Sequence, residues 1–242
     1  EEKLNRVTIE LKRSNMELQS FASIASHDLQ EPLRKIIVFG DRLRSTVTAI
    51  SPESEDYLLR MQKSARRMQD FIEDLLLYSK VSRKEKFYAL TDLNTVLKEV
   101  LENLELKISQ TKGTVNVDSL PTLHVDPFQM SQLFQNLIAN ALKFQQKDVP
   151  AIVNLSSRRD EKGDWEIKLV DNGIGFDEKY SERIFMPFER LHARSNYEGT
   201  GMGLAICQKI VHQHNGEIRV TSGVSKGTTF YIRLPENPDP QG

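Results

Sequence analysis

The chain predicts an α+β protein: an N-terminal antiparallel helical hairpin followed by a two-layer α/β sandwich. Three observations carry this reading. Residues recur alternately three and four apart along a seam through the first fifty positions, and a second amphipathic stripe runs from Tyr57 to Leu76. From Phe87 onward the pattern changes to short alternating strands interleaved with amphipathic helices. The charged run Ser82-Arg83-Lys84-Glu85-Lys86 separates the two regimes.

Leu4, Val7, Leu11, Ser14, Leu18, Phe21 and Ala25 open a seam that Leu29, Leu33, Ile36, Gly40, Leu43, Val47 and Ile50 continue. Heptads sustained this far mark a long helix packing along one stripe. Pro32 removes a helix hydrogen bond, which predicts a bend just after His27. Ser51-Pro52-Glu53 is a helix start, with a capping hydroxyl, proline at the first helical position and acid near the positive helix end. Tyr57, Met61, Ala65, Met68, Ile72, Leu75 and Leu76 carry that second helix to about Val81. Such a hairpin has too little core alone, and a homodimeric four-helix bundle buries both stripes. Packing of one hairpin on the rest of its own chain is the alternative.

Beyond the linker, Phe87 to Leu90 reads as a strand, and Asp92 caps a helix running to about Gln110. Thr114–Val117 and Thr122–Val125 are strands, and Pro127 opens a helix through Phe144. Ile152–Ser157 and Trp165–Val170 form a hairpin around Glu161-Lys162-Gly163. A helix from about Gly203 to His214 precedes strands at Glu217–Thr221 and Thr228–Leu234. The boundaries that follow are 1–20 for a coiled-coil helix, 21–82 for the hairpin, 87–235 for the sandwich and 236–242 for a loose tail.

Bulk composition narrows the functions. Of 242 residues, 38% are hydrophobic and 28% charged, and the net charge is −1. That balance gives no electrostatic reason for nucleic-acid binding or for membrane contact by this segment. No run of about 18 apolar residues exists to span a bilayer. Cys207 is the single cysteine, which excludes an intrachain disulfide and suits a reducing, cytoplasmic setting. The opening Glu1-Glu2-Lys3 reads as a cut inside a longer chain.

Four strings carry the chemistry. His27 follows the seam residue Ala25 by two positions, a rotation of about 200° that turns its imidazole away from the stripe. The ring is mostly neutral at pH 7, and Asp28 can accept a hydrogen bond from one ring nitrogen, leaving the other nucleophilic. Asn136 and Asn140 share a helix face with Lys143 nearby; an asparagine oxygen suits Mg²⁺, and a lysine suits phosphate. Phe144 offers a stacking surface. Asp171-Asn172-Gly173-Ile174-Gly175-Phe176 follows a strand; its glycines permit close approach, and Asp171 can accept from an exocyclic amine such as adenine's. Gly199-Thr200-Gly201-Met202-Gly203-Leu204 leads into a helix whose exposed amides suit phosphates. Phe185 and Phe188 resemble anchors for a mobile segment, with Leu191 to Glu198 as a lid. Each string alone is a weak signal.

In this order the strings resemble the sensor histidine kinases of two-component signalling, over about residues 15 to 234. The resemblance implies that His27 is the phosphoacceptor, with Asp28 its acidic neighbour. Asn136, Asn140, Lys143 and Phe144 match the family's N box, in which the position of Asn140 ligates Mg²⁺. Asp171, Gly173 and Gly175 match the adenine box, Phe185 and Phe188 the F box, and Gly199, Gly201 and Gly203 the lid-proximal glycines. Thr200, Met202 and Leu204 fall within that last string, and Thr228 matches a threonine near adenine. ATP and Mg²⁺ are the implied cofactors, and a response-regulator receiver domain is the implied partner. The chain departs from the family at Glu31, where many members carry Thr or Asn that positions water for dephosphorylating the partner. The string around His27 resembles kinase modules attached to phytochrome-like or PAS sensors, which implies an upstream sensor domain. Chaperone, topoisomerase and mismatch-repair ATPases share the nucleotide fold, and a nucleotide-sensing scaffold is the other rival; neither explains His27.

Overall fold

The computed structural model describes residues 29–46, 51–81, 87–161, 163–191 and 199–236. His27, Asp28, the seam before Leu29 and the bend expected beside them lie outside the described residues, as does most of the expected lid. The chain divides into two compact units that meet between Lys80 and Val81.

In the first unit, helix α1 covers 29–46 and α2 covers Pro52–Lys80. Ser51 caps α2 as its sequence predicts, with its Oγ accepting from Ser54 N at 3.2 Å. Leu33 of α1 packs with Ala65 and Ile72 of α2, and Ile37 and Leu76 flank them. Gly40 lies opposite Gln62, and Arg44 opposite Glu55 at 3.9 Å, so the helices run antiparallel. Leu29, Ile36 and Leu43 stay exposed, as do Tyr57, Met61 and Met68. Only part of the predicted stripe is thus covered within one chain.

Gln62 is buried, and its Nε2 donates to Ile37 O at 3.2 Å and to Asp41 Oδ1 at 2.8 Å. Gly40 makes room for that amide: a Cβ there would lie 2.7 Å from it. Gly40→Ala is therefore expected to push Gln62 off both acceptors and to destabilise the hairpin by about 1–3 kcal/mol. The double variant Gly40→Ala/Gln62→Ala should be no less stable than Gln62→Ala alone, because the clash is gone. Urea unfolding of the three variants checks this.

The second unit is the sandwich. Strands β1 (Ala89–Asp92) and β3 (Thr122–Val125) form an antiparallel pair. Strands β2 (Thr114–Val117), β4 (Ile152–Arg159), β5 (Trp165–Asp171), β6 (Glu217–Ser222) and β7 (Thr228–Leu234) form a sheet of order β2-β4-β5-β7-β6. Only β2–β4 is parallel. Val153, Leu155, Ile167, Leu169, Val220, Phe230 and Ile232 alternate onto one face. Helix α5 (Pro127–Lys143) buries seven apolar residues and contacts both α3 (Leu93–Asn103) and α6 (Gly203–Gln213). One apolar face covered by helices, with Arg158, Lys168, Arg219 and Arg233 on the other, is the two-layer architecture the sequence predicts.

Two elements differ from expectation. The helix capped by Asp92 breaks at Leu104, and α4 (Glu105–Gln110) follows. The buried stripe Leu93, Val96, Leu97 and Val100 ends with Leu104, and α4 has no buried residue to hold it on the same axis. Strand β1 starts at Ala89 instead of Phe87. Tyr88 is drawn to the end of α6, where its hydroxyl donates to Gln213 O at 2.6 Å and its ring meets buried His214, 5.0 Å between centroids. His214 Nε2 accepts from Asp126 N at 3.1 Å, which leaves Nδ1 to donate to Ile210 O at 2.8 Å. Asp126 caps α5, so this imidazole joins the start of α5 to the end of α6. Both helices carry site residues at their other ends.

Candidate nucleotide-binding site

Asp171 ends β5 directly opposite Thr228 on β7. Its Oδ1 accepts from Gly173 N at 2.8 Å and from Thr228 N at 3.1 Å. Among the described residues, Oδ2 accepts no hydrogen bond. Burial pushes the carboxyl above the usual carboxylate range, and the Gly173 and Thr228 amides oppose that rise. Two backbone donors therefore aim a partly desolvated carboxylate while one oxygen remains available, an arrangement that selects a ligand N–H.

The surrounding loops close tightly around this carboxylate. Ile174 N donates to Phe144 O at 2.8 Å, joining the end of α5 to the glycine loop. A Cβ on Gly173 would lie 2.6 Å from that same carbonyl. Gly175 has φ +58°, and a Cβ there would meet Gly223 O at 2.0 Å, so only glycine fits. Thr228 Oγ1 lies 3.1 Å from Ser222 Oγ, which in turn accepts from Phe176 N at 3.0 Å.

The opposite end gathers cations around the second glycine string. A Cβ on Gly199, whose φ is +137°, would lie 2.9 Å from Lys143 Nζ. Arg190 Nη1 donates to Gly199 O at 2.6 Å, and Lys143 Nζ sits 4.4 Å from the Phe144 ring centroid. Gly201 O accepts from Phe188 N at 3.1 Å, and Thr200 Oγ1 accepts from Met202 N at 3.2 Å. Gly203 then starts α6, so the glycine string runs straight into that helix's N-terminus.

The remaining predicted residues divide by role. Asn136 Nδ2 donates to Gly203 O at 3.3 Å, so this side chain ties α5 to α6. Asn140, one turn later, is half-buried, and its side chain makes no hydrogen bond among the described residues. Phe185 is buried edge-on against Phe230, 6.4 Å between centroids, which makes it a core anchor. Phe188 is half-exposed at φ +66°. Met202 is buried beneath the loop, and Leu204 is half-buried. Cys207 is fully buried and its thiol is pushed up to about 12, so it is no nucleophile. In the hairpin unit, Glu31 pairs with Lys35 at 2.8 Å on an exposed surface.

Sequence reasoning passed over Gln146, Asn172 and Arg190. Asn172 Oδ1 accepts from Ile152 N at 2.8 Å, and its Nδ2 donates to Pro150 O at 3.0 Å. Arg190 follows the F-box phenylalanines but stands nine residues before Gly199, so the fold and not the local sequence brings it to the glycine string. Gln146 carries no signal, because its partners are backbone carbonyls far away in sequence.

A mixed sheet of this order, with a half-buried carboxylate at one end of the site and a lysine beside glycines at the other, defines the ATP-binding two-layer sandwich class. Residues 125–238 match the family model described as histidine kinase-, DNA gyrase B- and HSP90-like ATPase, and residues 17–84 match the His Kinase A (phospho-acceptor) domain. Carrying both domains, the chain belongs to the sensor histidine kinases, in the phytochrome-like subgroup. Cyanobacterial phytochrome A of Nostoc is 40% identical over 97% of the chain and 30% of the phytochrome. The histidine-protein kinase BarA of Escherichia coli is 32% identical over 90% of the chain and 25% of BarA. The chain thus spans about a third or less of these relatives. Full-length ShkA, solved with AMPPNP, superposes with a TM-score of 0.70 over 91% of the chain and 47% of ShkA, at 21% identity. The Acinetobacter baumannii kinase AdeS gives 0.59 at 22% identity, over 85% of this chain and 95% of AdeS. These two likenesses concern the fold.

Proposed function

We propose that this chain is the kinase core of a sensor protein: it moves the γ-phosphoryl group of ATP onto His27 and then to an aspartate of a response-regulator receiver domain. The observation that carries this reading is the pairing of two modules: residues 17–84, which match the phospho-acceptor domain, and a site with the Asp171 carboxylate at one end and Lys143 beside Gly199 at the other. In the reaction, a ring nitrogen of His27 forms a bond to the γ-phosphorus. The bond from that phosphorus to the bridging oxygen breaks, and its electron pair leaves with ADP. Asp28 accepts the hydrogen bond of the other ring N–H and so fixes the tautomer. Lys143 and Arg190 stand beside Gly199, where they offset phosphate charge, and positioning supplies most of the acceleration.

Asn140 fits a Mg²⁺ ligand: it offers a hard amide oxygen, and its neighbour Asn136 is committed to Gly203. Mg²⁺, when bound, neutralises phosphate charge. Asp171, Gly173, Gly175 and Thr228 form the base end, and Gly199–Gly203 the phosphate end. The assigned boundaries are 1–20 for a signalling helix, 21–82 for the dimerising phosphoacceptor hairpin, 87–235 for the catalytic domain and 236–242 for the tail. Exposed Leu29, Leu43, Tyr57, Met61 and Met68 support a homodimeric bundle that buries them. No described helix is long and apolar enough to cross a membrane, which fits a cytoplasmic core. Glu31, paired with Lys35, places a carboxylate where many members carry a hydroxyl or amide, so any dephosphorylation of the partner would have to orient water through a different group.

Incubation with Mg-ATP followed by mass-spectrometric mapping tests the proposal. The expected product is one acid-labile, base-stable phosphoryl group on His27. Label on another residue, or none, rejects the reading.

A further inference from the structure

Gln146 lies two residues beyond Phe144, in the connection from α5 to β4, and belongs to none of the nucleotide motifs. Its Nε2 faces three backbone carbonyls: Asn172 O at 3.0 Å, Gly173 O at 3.1 Å and Ser225 O at 3.3 Å. Two of these lie in the glycine loop after β5, and the third lies in the turn between β6 and β7. These segments supply the amides of Gly173 and Thr228 that aim the Asp171 carboxylate. Ser225 N also donates to Ile174 O at 2.7 Å, so the two segments touch directly beside the amide. We propose that Gln146 is a positioning residue for base recognition: it clamps the two segments so that Asp171 Oδ2 is held ready for the exocyclic amine of adenine. The inference rests on the ATP-site reading above and extends it to specificity.

The geometry fixes what the clamp must be. Three acceptors surround one nitrogen, and an amide nitrogen has only two hydrogens, so one of them is shared. An ammonium has three hydrogens, one per carbonyl. Gln146→Lys should therefore preserve the clamp, whereas Gln146→Ala removes it and Gln146→Glu sets a carboxylate against three carbonyls. The lysine and arginine at the phosphate end are untouched by all three changes.

The test uses the full chain and displacement of a fluorescent ATP analogue by ATP or GTP. Gln146→Ala is expected to weaken ATP about tenfold, roughly the loss of one or two hydrogen bonds of positioning. GTP, which lacks the amine that Asp171 selects, should move less than about twofold. In autophosphorylation, KM for ATP should rise by the same factor with kcat within about twofold. Gln146→Lys should keep the wild-type ratio, and Gln146→Glu should lose at least as much as alanine. Equal losses for ATP and GTP, a kcat effect without a KM effect, or failure of lysine to rescue overturns the proposal. If Gln146→Ala does not fold, the lysine and glutamate variants decide it by the same ratio. A wild-type chain that shows no preference for ATP instead overturns the underlying site reading.

Discussion

Replacing His27 with glutamine is expected to abolish transfer of label from γ-labelled ATP to the protein, a loss on the order of a thousandfold or more. The reaction requires a nitrogen lone pair as nucleophile, and a glutamine amide has none available, because its nitrogen is delocalised into the carbonyl. ATP affinity should stay within about twofold of wild type. The residues assigned to ATP lie in the unit beginning at Val81, whereas His27 falls in the matched phospho-acceptor segment 17–84. Filter-retained or gel-resolved label reads the first quantity, and nucleotide displacement reads the second. Full labelling of His27→Gln removes the phosphoacceptor assignment. A parallel loss of ATP affinity removes the division of labour between the modules. The same variant mixed with a purified receiver domain should leave that receiver unphosphorylated.

The elements that were legible in the sequence share a physical reason. Helix α5 announces itself by Pro127 at its first position, and the structure adds Asp126 as its cap and seven buried apolar residues. Strands β2, β3 and β7 fall where alternation places them. The break at Leu104 was hidden because helix periodicity reports which residues are buried and not whether the axis bends between them. β1 begins late because Tyr88 is claimed by the Gln213 carbonyl, 125 residues away, and by the neighbouring His214 ring, contacts that local pattern cannot encode. The candidate site follows the same division. Asp171, the glycines and Lys143 form short strings whose chemistry is local. Gln146 acts on carbonyls 26, 27 and 79 residues away. Asn136 and Phe185 sit in matched motifs, yet the structure gives them packing and tethering work. A motif thus marks a neighbourhood, and the fold assigns the tasks within it.

Asp171→Asn is expected to weaken ATP about a hundredfold, with little change in the fold. The two amides that bind Oδ1 can keep an asparagine carbonyl in the same place, because Gly173 and Thr228 are donors that exclude the NH₂ group. The amide nitrogen then points where Oδ2 pointed and meets the exocyclic amine donor to donor. A buried donor left unpaired on each side costs about 2–3 kcal/mol, which is the hundredfold. The protonation state of Asp171 adds a second signature. Burial raises its pKa above the usual carboxylate range. For folding, the sign is that of a buried acid: its contribution is fully present below the unfolded-state pKa and is lost as pH rises through the raised native value. For binding, the sign reverses, because only the ionised form keeps Oδ2 as an unprotonated acceptor for the amine. ATP affinity should fall as pH drops through that raised pKa, beginning at higher pH than an ordinary carboxylate would allow. Calorimetry across mildly acidic pH, in two buffers of different ionisation enthalpy, should detect proton release on ATP binding to the wild type. Asp171→Asn should show neither the proton release nor the acid limb. A wild-type limb that persists unchanged in the variant would assign the titration to another group and remove Asp171 from base recognition.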